Sequence, residues 1–258
     1  MPDKRRTGAG SVAPTRHPRP EQDSRTALVD EPPGLCPVCR AGGPQPFLSV
    51  GDRDYRRCPT CAATLLEPGQ RPGPALEYRH YLQHENDPAD PAYRRFLARL
   101  AEPLLLRLAP GARGLDYGCG PGPALAAMLA EAGHPTALYD PFFCPDPAPL
   151  EQTYDFITCT EAIEHFHRPA AEFDRLGQLL RPGGWLAVMT CFQTDDARFA
   201  VWHYRQDPTH VVFYREATLR LLAAQRGWSC EIPAKDVALM RKPATGEAGV
   251  DKGIGELA

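Results

Sequence analysis

The chain has 258 residues, of which 43% are hydrophobic and 24% charged, and its formal net charge is −3. This composition excludes a fibrous or wholly disordered chain and a strongly basic nucleic-acid coat protein. No apolar run reaches the ~20 residues that a membrane-spanning helix needs, and no secretory apolar segment opens the chain, so we expect no membrane partner and a cytoplasmic location.

Five segments are predicted along the chain. Residues 1–30 mix Pro, Gly, Ser, Thr and charge without apolar periodicity, which predicts a disordered tail, and residues 243–258 have the same character. Two cysteine pairs lie within residues 31–69, and a Pro-rich connector or lid occupies residues 70–90. The remaining segment, residues 91–242, carries the regular alternating elements.

The pattern of residues 91–242 is that of an α/β domain. Apolar side chains recur at helical spacing over residues 91–108, and Pro103 predicts a kink or break there. Strands are predicted at residues 114–117, 136–140, 154–160, 184–190, 228–232 and 237–240, and helices at residues 123–132, 169–180 and 215–226. This alternation predicts a mostly parallel sheet covered by helices on both faces.

Four of the nine cysteines form two CxxC pairs. Cys36 and Cys39 are separated from Cys58 and Cys61 by 18 residues, which is zinc-ribbon spacing. Two such pairs converge on one tetrahedral ion, and a four-thiolate site is closed and therefore structural. Four ordinary reduced cysteines are the alternative, and a redox pair is less favoured because there are two pairs without a thioredoxin-like setting.

A glycine-rich turn follows the first predicted strand of the α/β segment, in the sequence LDYGCGPG at residues 115–122. Glycines let a ligand lie directly against the backbone. The dinucleotide pattern G-x-G-x-x-G fails because Pro123 stands at its third glycine position. Asp116, two residues before Gly118, repels a pyrophosphate and suits a cationic ligand, which favours S-adenosylmethionine.

A second acid supports this interpretation. Asp140 ends the next predicted strand, 24 residues after Asp116, where a carboxylate can accept both ribose hydroxyls. The cofactor-binding residues expected from the two strand ends and the strand that follows are Asp116, Gly118, Cys119, Gly120, Gly122, Asp140, Pro141, Thr160 and Glu161.

With these motifs the chain resembles the class I S-adenosylmethionine-dependent methyltransferases, of the small-molecule type, over about residues 90–242. The motifs are LDYGCGPG, Asp140, YDFITCTEAIEHF at residues 154–166 and LRPGGWLAVMT at residues 180–190. The resemblance implies a Rossmann-like sheet with helices on both faces, preceded here by a small zinc ribbon. The chain departs from the family between residues 140 and 154, where the usual third-strand acid near adenine has no counterpart; Phe142 or Phe143 is expected to pack on the adenine instead.

An acid–histidine motif follows the strand predicted at residues 154–160. Its residues Glu161, Glu164 and His165 form E-x-x-E-H, which resembles the ubiquinone-biosynthesis O-methyltransferases. In that family the matching residues bind a divalent cation that helps to ionise a catechol-like hydroxyl. The alternative is a pair used for packing and orientation without a metal. We expect Glu161 and His165 to be catalytic.

Residues 191–214 form a long stretch before the last predicted helix, in a position that flanks the acceptor pocket of a class I fold. The segment 207–211, DPTHV, resembles an element of small-molecule methyltransferases, and His210 is a candidate general base. A structural hydrogen bond to the backbone is the alternative role. Upstream, Tyr81 and His84 are expected to close the pocket, whereas Trp202 and Tyr204 fit the core equally well.

The sequence favours a methyltransferase that acts on a small-molecule acceptor at O, N or C. Two alternatives stay open. In the first, the ribbon docks RNA or a protein substrate, a role that Arg40, Arg53, Arg56 and Arg57 would permit. Nucleic acid is not favoured as a partner, because acidic residues lie among these arginines. In the second, the fold is a non-catalytic scaffold, which the intact cofactor motif argues against.

Overall fold

The structure is a computed structural model that describes residues 34–83 and 86–247. The predicted tail 1–30, residues 248–258 of the second tail and the predicted lid residue His84 lie outside the described residues. None of the helices in the described part of the chain has both the length and the hydropathy needed to cross a membrane.

The N-terminal module is a small antiparallel sheet between two cysteine turns. Its strands are β1 (Gln45–Val50), β2 (Arg53–Arg57) and β3 (Thr64–Leu66), paired in that order. The residue after each CxxC pair, Arg40 or Ala62, has a left-handed φ of 57° or 61°. The N–H of the first cysteine in each pair donates to the carbonyl five residues on. The two cysteine turns therefore have the same backbone geometry.

Two helices connect this module to the central sheet. They are α1 (Pro74–Tyr81) and α2 (Pro91–Leu105), and each begins with a proline, whose missing N–H is not needed there. Asp90 caps α2 by accepting a hydrogen bond from the Ala92 N–H. The helix is continuous through Pro103 and ends two residues later, because the proline lies in the last turn.

The remaining elements form the central sheet and the helices that flank it, except β8 (Val212–Phe213), which belongs to the N-terminal sheet. In chain order they are β4 (Gly114–Tyr117), α3 (Ala124–Glu131), β5 (Thr136–Tyr139), β6 (Tyr154–Thr160), α4 (Pro169–Leu179), β7 (Leu180–Met189), α5 (His203–Gln206), β8 (Val212–Phe213), α6 (Glu216–Gln225), β9 (Ser229–Ala234) and β10 (Val237–Arg241). The strand order is β5-β4-β6-β7-β10-β9. The first four strands are parallel and β10 is antiparallel to both neighbours, which confirms the predicted Rossmann-like α/β fold.

Both faces of the sheet are covered. Helices α2 and α3 pack on one face through an apolar cluster that includes Phe156 and Met189. Helices α4 and α6 pack on the other face, in a cluster that includes Ile157 and Leu186. The alternation of side chains along β6 and β7 supplies both layers, as the strand period of two requires.

The sheet ends at β5. Within the described residues no strand lies between Tyr139 and Tyr154, and the segment forms only a short 3₁₀ turn at Ala148–Glu151. An isolated bridge joins Asp140 to Cys144. The short connection noted in the sequence therefore leaves β5 as the edge strand.

The cysteine module and the central domain share one core. Strand β8, from the long stretch before α6, pairs with β3 and completes a four-stranded sheet. Thr218 in α6 donates to the Cys61 carbonyl at 2.7 Å, and Gln225 donates to the Cys39 carbonyl at 2.9 Å. The four cysteines belong to the same apolar cluster as α4 and α6. The cysteine module therefore packs against α4 and α6, on the face of the sheet that these two helices cover.

Candidate active site

A cavity of about 470 Å³ opens at the carboxyl ends of β4, β5 and β6. This is where parallel α/β sheets bind ligands. Nine of the residues predicted to bind or react line it, namely Gly118, Cys119, Gly120, Asp140, Pro141, Thr160, Glu161, His165 and His210. Two other predicted residues, Asp116 and Gly122, are not on its wall.

The glycine turn is shaped by close backbone approaches. Gly118 has φ +79°, and a Cβ there would lie 2.7 Å from the Cβ of Ala162. A Cβ on Gly122 would lie 1.8 Å from the carbonyl oxygen of Asn86, so this glycine accommodates the segment after α1. Gly120 has φ +65°, and its Cβ position is 3.7 Å from the nearest side-chain atom, which keeps the turn open to the cavity.

Asp116 lies beneath the turn, 4% exposed, and accepts a hydrogen bond from the Thr158 hydroxyl at 2.8 Å. Burial raises the pKa of its carboxyl from 3.8 to about 6. An acid whose pKa is raised by folding costs stability when it ionises. That cost is absent below its unfolded pKa and grows as the pH rises through about 6.

We therefore expect Asp116→Asn to raise the free energy of unfolding by about 2–3 kcal/mol at pH 8, because the amide is uncharged and keeps the bond to Thr158. The gain should vanish below pH 4, and urea denaturation at the two pH values measures it. Asp52→Asn, at an exposed position, is the control. An equal gain at both pH values would contradict the ionisation argument.

Asp140 ties two backbone segments together, the glycine turn and residues 142–143. Its Oδ1 accepts hydrogen bonds from the N–H groups of Phe142 and Phe143 at 2.8 and 3.0 Å, and its Oδ2 accepts one from the Gly120 N–H at 3.0 Å. A carboxylate offers about four acceptor positions, so one remains. We expect that position to take one ribose hydroxyl, where the sequence suggested both.

The cavity wall carries one unsatisfied polar atom. The Oγ1 of Thr160, at the end of β6, is buried and has no hydrogen-bond partner among the described residues. Buried hydroxyls are normally paired, so this atom points to a ligand as its partner.

A comparison with protein-family models now places the fold and the cavity in a family. Residues 78–231, more than half of the chain, match the model described as a methyltransferase domain. The chain belongs to this methyltransferase domain family. The matched range includes the glycine turn, Asp140 and the acid–histidine motif.

Curated relatives of this methyltransferase chain include the ubiquinone biosynthesis O-methyltransferases of Xylella fastidiosa strains M23 and Temecula1. Each is 32% identical over 111 residues, a match that covers 33% of this chain and 44% of the relative. The chain therefore spans less than half the length of these relatives.

Solved structures include a Burkholderia thailandensis 1,6-didemethyltoxoflavin-N1-methyltransferase with bound 1,6-didemethyltoxoflavin and S-adenosylhomocysteine. It has a TM-score of 0.44 and 16% identity, with 77% of this chain and 99% of that chain covered. An O-methyltransferase family protein of the same species has a TM-score of 0.45 and 13% identity, with coverages of 60% and 57%.

Two glutamates of the methyltransferase meet at one tyrosine. The Tyr204 hydroxyl lies 2.5 Å from Oε1 of Glu164 and 3.2 Å from Oε2 of Glu161, and Glu164 also accepts from the Thr190 hydroxyl at 3.0 Å. Glu164 is fully buried. Burial and, next, the charge of Glu164 raise the pKa of Glu161 to about 9. Glu161 also has a left-handed φ of 47°, a strained backbone that is typical of functional positions.

The two predicted histidines lie side by side, with ring centroids 4.7 Å apart. Nδ1 of His165 lies 3.0 Å from the Thr209 carbonyl, and Nδ1 of His210 lies 2.7 Å from the Tyr204 carbonyl. A carbonyl oxygen only accepts, so each Nδ1 carries the hydrogen, and in the neutral ring Nε2 carries the lone pair. Burial, followed by the neighbouring His165, lowers the pKa of His210 to about 4, so His210 is neutral at physiological pH.

The structure changes the set of residues that lie together as cation ligands. One ligand atom each from Glu164, His165 and His210 lie within 4.8 Å of one another. Glu161, which the sequence placed in this set, is not in the group, and His210 takes its place. The reason is tertiary: the segment 207–211 folds back against the turn after β6, where the Val211 N–H donates to the Glu164 carbonyl.

Helix α1 covers the cavity. Tyr81 packs edge-on against both Phe142 and His165, with centroids 5.4 and 5.2 Å away. Two histidine–carboxylate pairs tie the helix to the rest of the domain: Glu77 with His167 at 2.7 Å, and His80 with Asp207 at 3.0 Å. Tyr81 and Phe142 both line the cavity, and Tyr81 lies between Phe142 and His165.

Sequence reasoning missed several cavity residues. Tyr93 and Phe96 line the cavity from α2, where helical spacing predicted only the helix itself. Glu77 and Glu172 also line it, and no motif marked either of them. Tyr204 had been assigned equally well to the core, and its hydroxyl is in fact the centre of the glutamate pair.

The four ribbon cysteines form a separate, closed cluster. The Sγ atoms of Cys36 and Cys61 are 3.8 Å apart, and those of Cys39 and Cys58 are 3.7 Å apart. A tetrahedral ion with metal–sulfur bonds of ~2.3 Å requires sulfur–sulfur edges of about 3.8 Å. These separations are far beyond a disulfide bond of about 2.05 Å. The cluster is therefore compatible with the zinc ribbon that the spacing predicted.

Proposed function

We propose that the protein transfers a methyl group from S-adenosylmethionine to an oxygen atom of a small-molecule acceptor. One observation carries the proposal: the glycine turn and Asp140 open onto the same cavity as Glu161, His165 and His210. The residues proposed to bind the methyl donor and the acid–histidine residues thus line one cavity. Oxygen is chosen as the acceptor atom because the curated relatives are named as O-methyltransferases.

The residues present fit the cofactor. Gly120 keeps the turn open, Asp140 retains one acceptor position for a ribose hydroxyl, and the unpaired Thr160 hydroxyl gains a partner. When bound, the cofactor supplies a methyl group that is already activated by its sulfonium. The chain therefore contributes mainly by holding the reactants in line and excluding water, which the cover formed by α1 provides.

We also propose zinc in the cysteine cluster, with a structural role. The two sulfur–sulfur distances support a tetrahedral four-thiolate site. Such a closed site has no open coordination position for an acceptor. The zinc-ribbon cluster and the cavity therefore have different tasks.

A second cation, divalent, is proposed at Glu164, His165 and His210. Ligating imidazoles usually donate their other ring N–H to a backbone carbonyl or carboxylate, which is how both histidines are held here. Two imidazoles and one carboxylate form a known ligand set for divalent ions. A cation there would lower the pKa of an acceptor hydroxyl.

The ribbon gives no support for nucleic acid as the acceptor. Arg40 pairs with Asp174 at 2.5 Å, Arg57 pairs with Asp196 at 2.7 Å, and Arg56 pairs with Glu67 at 3.5 Å. Phosphate binding requires cations that are available to the backbone. Arginines held by acids of the same surface do not form such a patch.

The test is methyl transfer from labelled S-adenosylmethionine to a panel containing catechol-type and monophenolic compounds, aliphatic amines and total RNA. We expect label in a hydroxylated small molecule. Glu164→Gln should reduce the rate by at least about 10-fold if the cluster activates the hydroxyl. Label found only in the RNA or in the protein itself would refute the proposal.

The cation site makes its own prediction. Zinc-loaded protein is titrated with Mn²⁺ and followed by electron paramagnetic resonance. One ion should bind, and Glu164→Gln should weaken it by 10- to 100-fold, on the order expected for loss of a ligand or its support. Glu161→Gln is the matched control and should keep binding within a few-fold. Stoichiometric binding that survives Glu164→Gln, or no binding at all, would contradict this site and leave neutral His210 as the base.

A further inference from the structure

The adenine end of the cavity lacks the acid that its fold class usually provides. Strand β5 is the sheet edge, and within the described residues no third strand follows before Tyr154. A 6-amino group on the base would still need an acceptor, since an unpaired buried donor is unfavourable. Some other part of this chain must supply it.

Contacts divide the residues that line the cavity into two groups. Glu161 and His210 contact Tyr204, whereas Glu172 and Phe166 contact Tyr117. The reacting methyl group belongs beside the acid–histidine group. The base is therefore placed beside the Tyr117 group, where aromatic rings provide flat surfaces for stacking.

Glu172 is the carboxylate of the Tyr117 group, and it is held in place. In the first turn of α4, its Oε2 accepts a hydrogen bond from the Tyr117 hydroxyl at 2.6 Å. Arg175 donates to the Tyr117 oxygen at 3.4 Å, so the tyrosine proton stays directed at Glu172. The Tyr117 ring is fixed edge-on against Phe166, with centroids 6.2 Å apart. In the described part of the chain Oε1 of Glu172 accepts no hydrogen bond, which leaves it available to a ligand.

We propose that Glu172 accepts a hydrogen bond from the 6-amino group of the cofactor's adenine and so makes the site specific for that base. This inference rests on the proposed function, because it assumes that the cavity binds the adenosyl cofactor. A carboxylate accepts from an amino group and repels a 6-oxo group. Glu172 on α4 then supplies the acceptor that an acid on a third strand would provide, and Tyr117 is its positioning residue.

The experiment is calorimetric titration of the full zinc-loaded protein with S-adenosylhomocysteine and with its deaminated, 6-oxo analogue S-inosylhomocysteine. The wild type should prefer the adenosyl ligand by at least about 10-fold, the scale of one hydrogen bond to a charged group. Glu172→Gln should weaken adenosyl binding by about 10-fold and strengthen inosyl binding, because an amide donates to a 6-oxo group. Tyr117→Phe should weaken adenosyl binding less and keep the preference. Glu102→Gln, at an exposed position of α2, should change neither.

The outcomes separate this inference from the proposed function. A wild type that binds neither ligand overturns both. A wild type that binds S-adenosylhomocysteine, with a Glu172→Gln variant that keeps its base preference or weakens both ligands equally, overturns the role of Glu172 alone. If Glu172→Gln fails to fold, the wild type and Tyr117→Phe still test the inference. Equal affinity of either protein for the adenosyl and inosyl ligands is then the contradicting result.

Discussion

Replacing Cys58 by Ala is expected to unfold the whole chain, and not the ribbon alone. A structural zinc contributes on the order of 10 kcal/mol, which is comparable with the total stability of a domain, about 5–15 kcal/mol. Cys58 is fully buried and belongs to the core cluster shared with α4 and α6. The loss of stability extends to the central domain because β3 pairs with β8 and because Thr218 donates to the Cys61 carbonyl.

Differential scanning calorimetry measures whether the cysteine module and the central domain unfold together. The wild type should show one cooperative transition that moves down when a chelator removes zinc, and Cys58→Ala should lack it at physiological temperature. Cys230→Ala is the control, because Cys230 lies in β9 and is not one of the four clustered cysteines, and it should shift the transition by only a few degrees. Two separate transitions, with the larger one unchanged by chelation, would show that the ribbon folds independently.

Local patterns in the sequence predicted most of the helices and strands of the central domain. Strands β4 and β6 match their predicted ranges to the residue, and most other boundaries differ by no more than two residues, because periodicity and the flanking Gly and Pro fix them locally. Strand β7 begins four residues earlier than predicted, at Leu180, because that residue pairs with Tyr154 of the neighbouring strand. Such pairing is a tertiary contact that no local pattern contains.

In the candidate active site, too, local features could be predicted and tertiary contacts could not. The glycine turn and Asp140 were predictable because one strand end and one short turn determine them. The partnership of Tyr204 with Glu164 joins residues 40 positions apart. Helical spacing reports which face of α2 is apolar, but it cannot tell a core wall from a cavity wall, so it did not identify Tyr93 and Phe96 as cavity residues. Two-residue strand β8 is too short to have a periodicity.

Integration of the ribbon has a consequence for the active site. The segment that pairs with the ribbon through β8 is continuous with His210, and the N–H of Leu66 in β3 donates to the Val211 carbonyl at 2.9 Å. Val211 in turn donates to the Glu164 carbonyl at 2.9 Å. Order in the cysteine module therefore helps to fix His210 beside Glu164, and partial loss of the proposed zinc should reduce the proposed methyl transfer before the sheet unfolds.

Replacing Asp140 by Ala is expected to lower the affinity for S-adenosylmethionine by at least about 100-fold. The substitution removes the acceptor for a ribose hydroxyl, a bond to a charged group that contributes about 1.5–3 kcal/mol. It also releases the Gly120, Phe142 and Phe143 N–H groups, so two cavity-lining segments lose their common anchor. Both effects weaken binding, and they act through different atoms.

Asp140→Asn separates the two effects. Its amide oxygen can still accept from Phe142 and Phe143, whereas its NH₂ group faces the Gly120 N–H and the ribose as a donor. We expect a loss of about 10-fold for Asn, with a melting temperature nearer the wild type than that of Ala. Calorimetric titration and thermal melts measure both. Asp146→Ala is the control, since Asp146 also accepts a backbone N–H, from Ala148, but is exposed and does not line the cavity. Binding by Asp140→Ala within a few-fold of the wild type would show that the carboxylate holds the loop and not the cofactor.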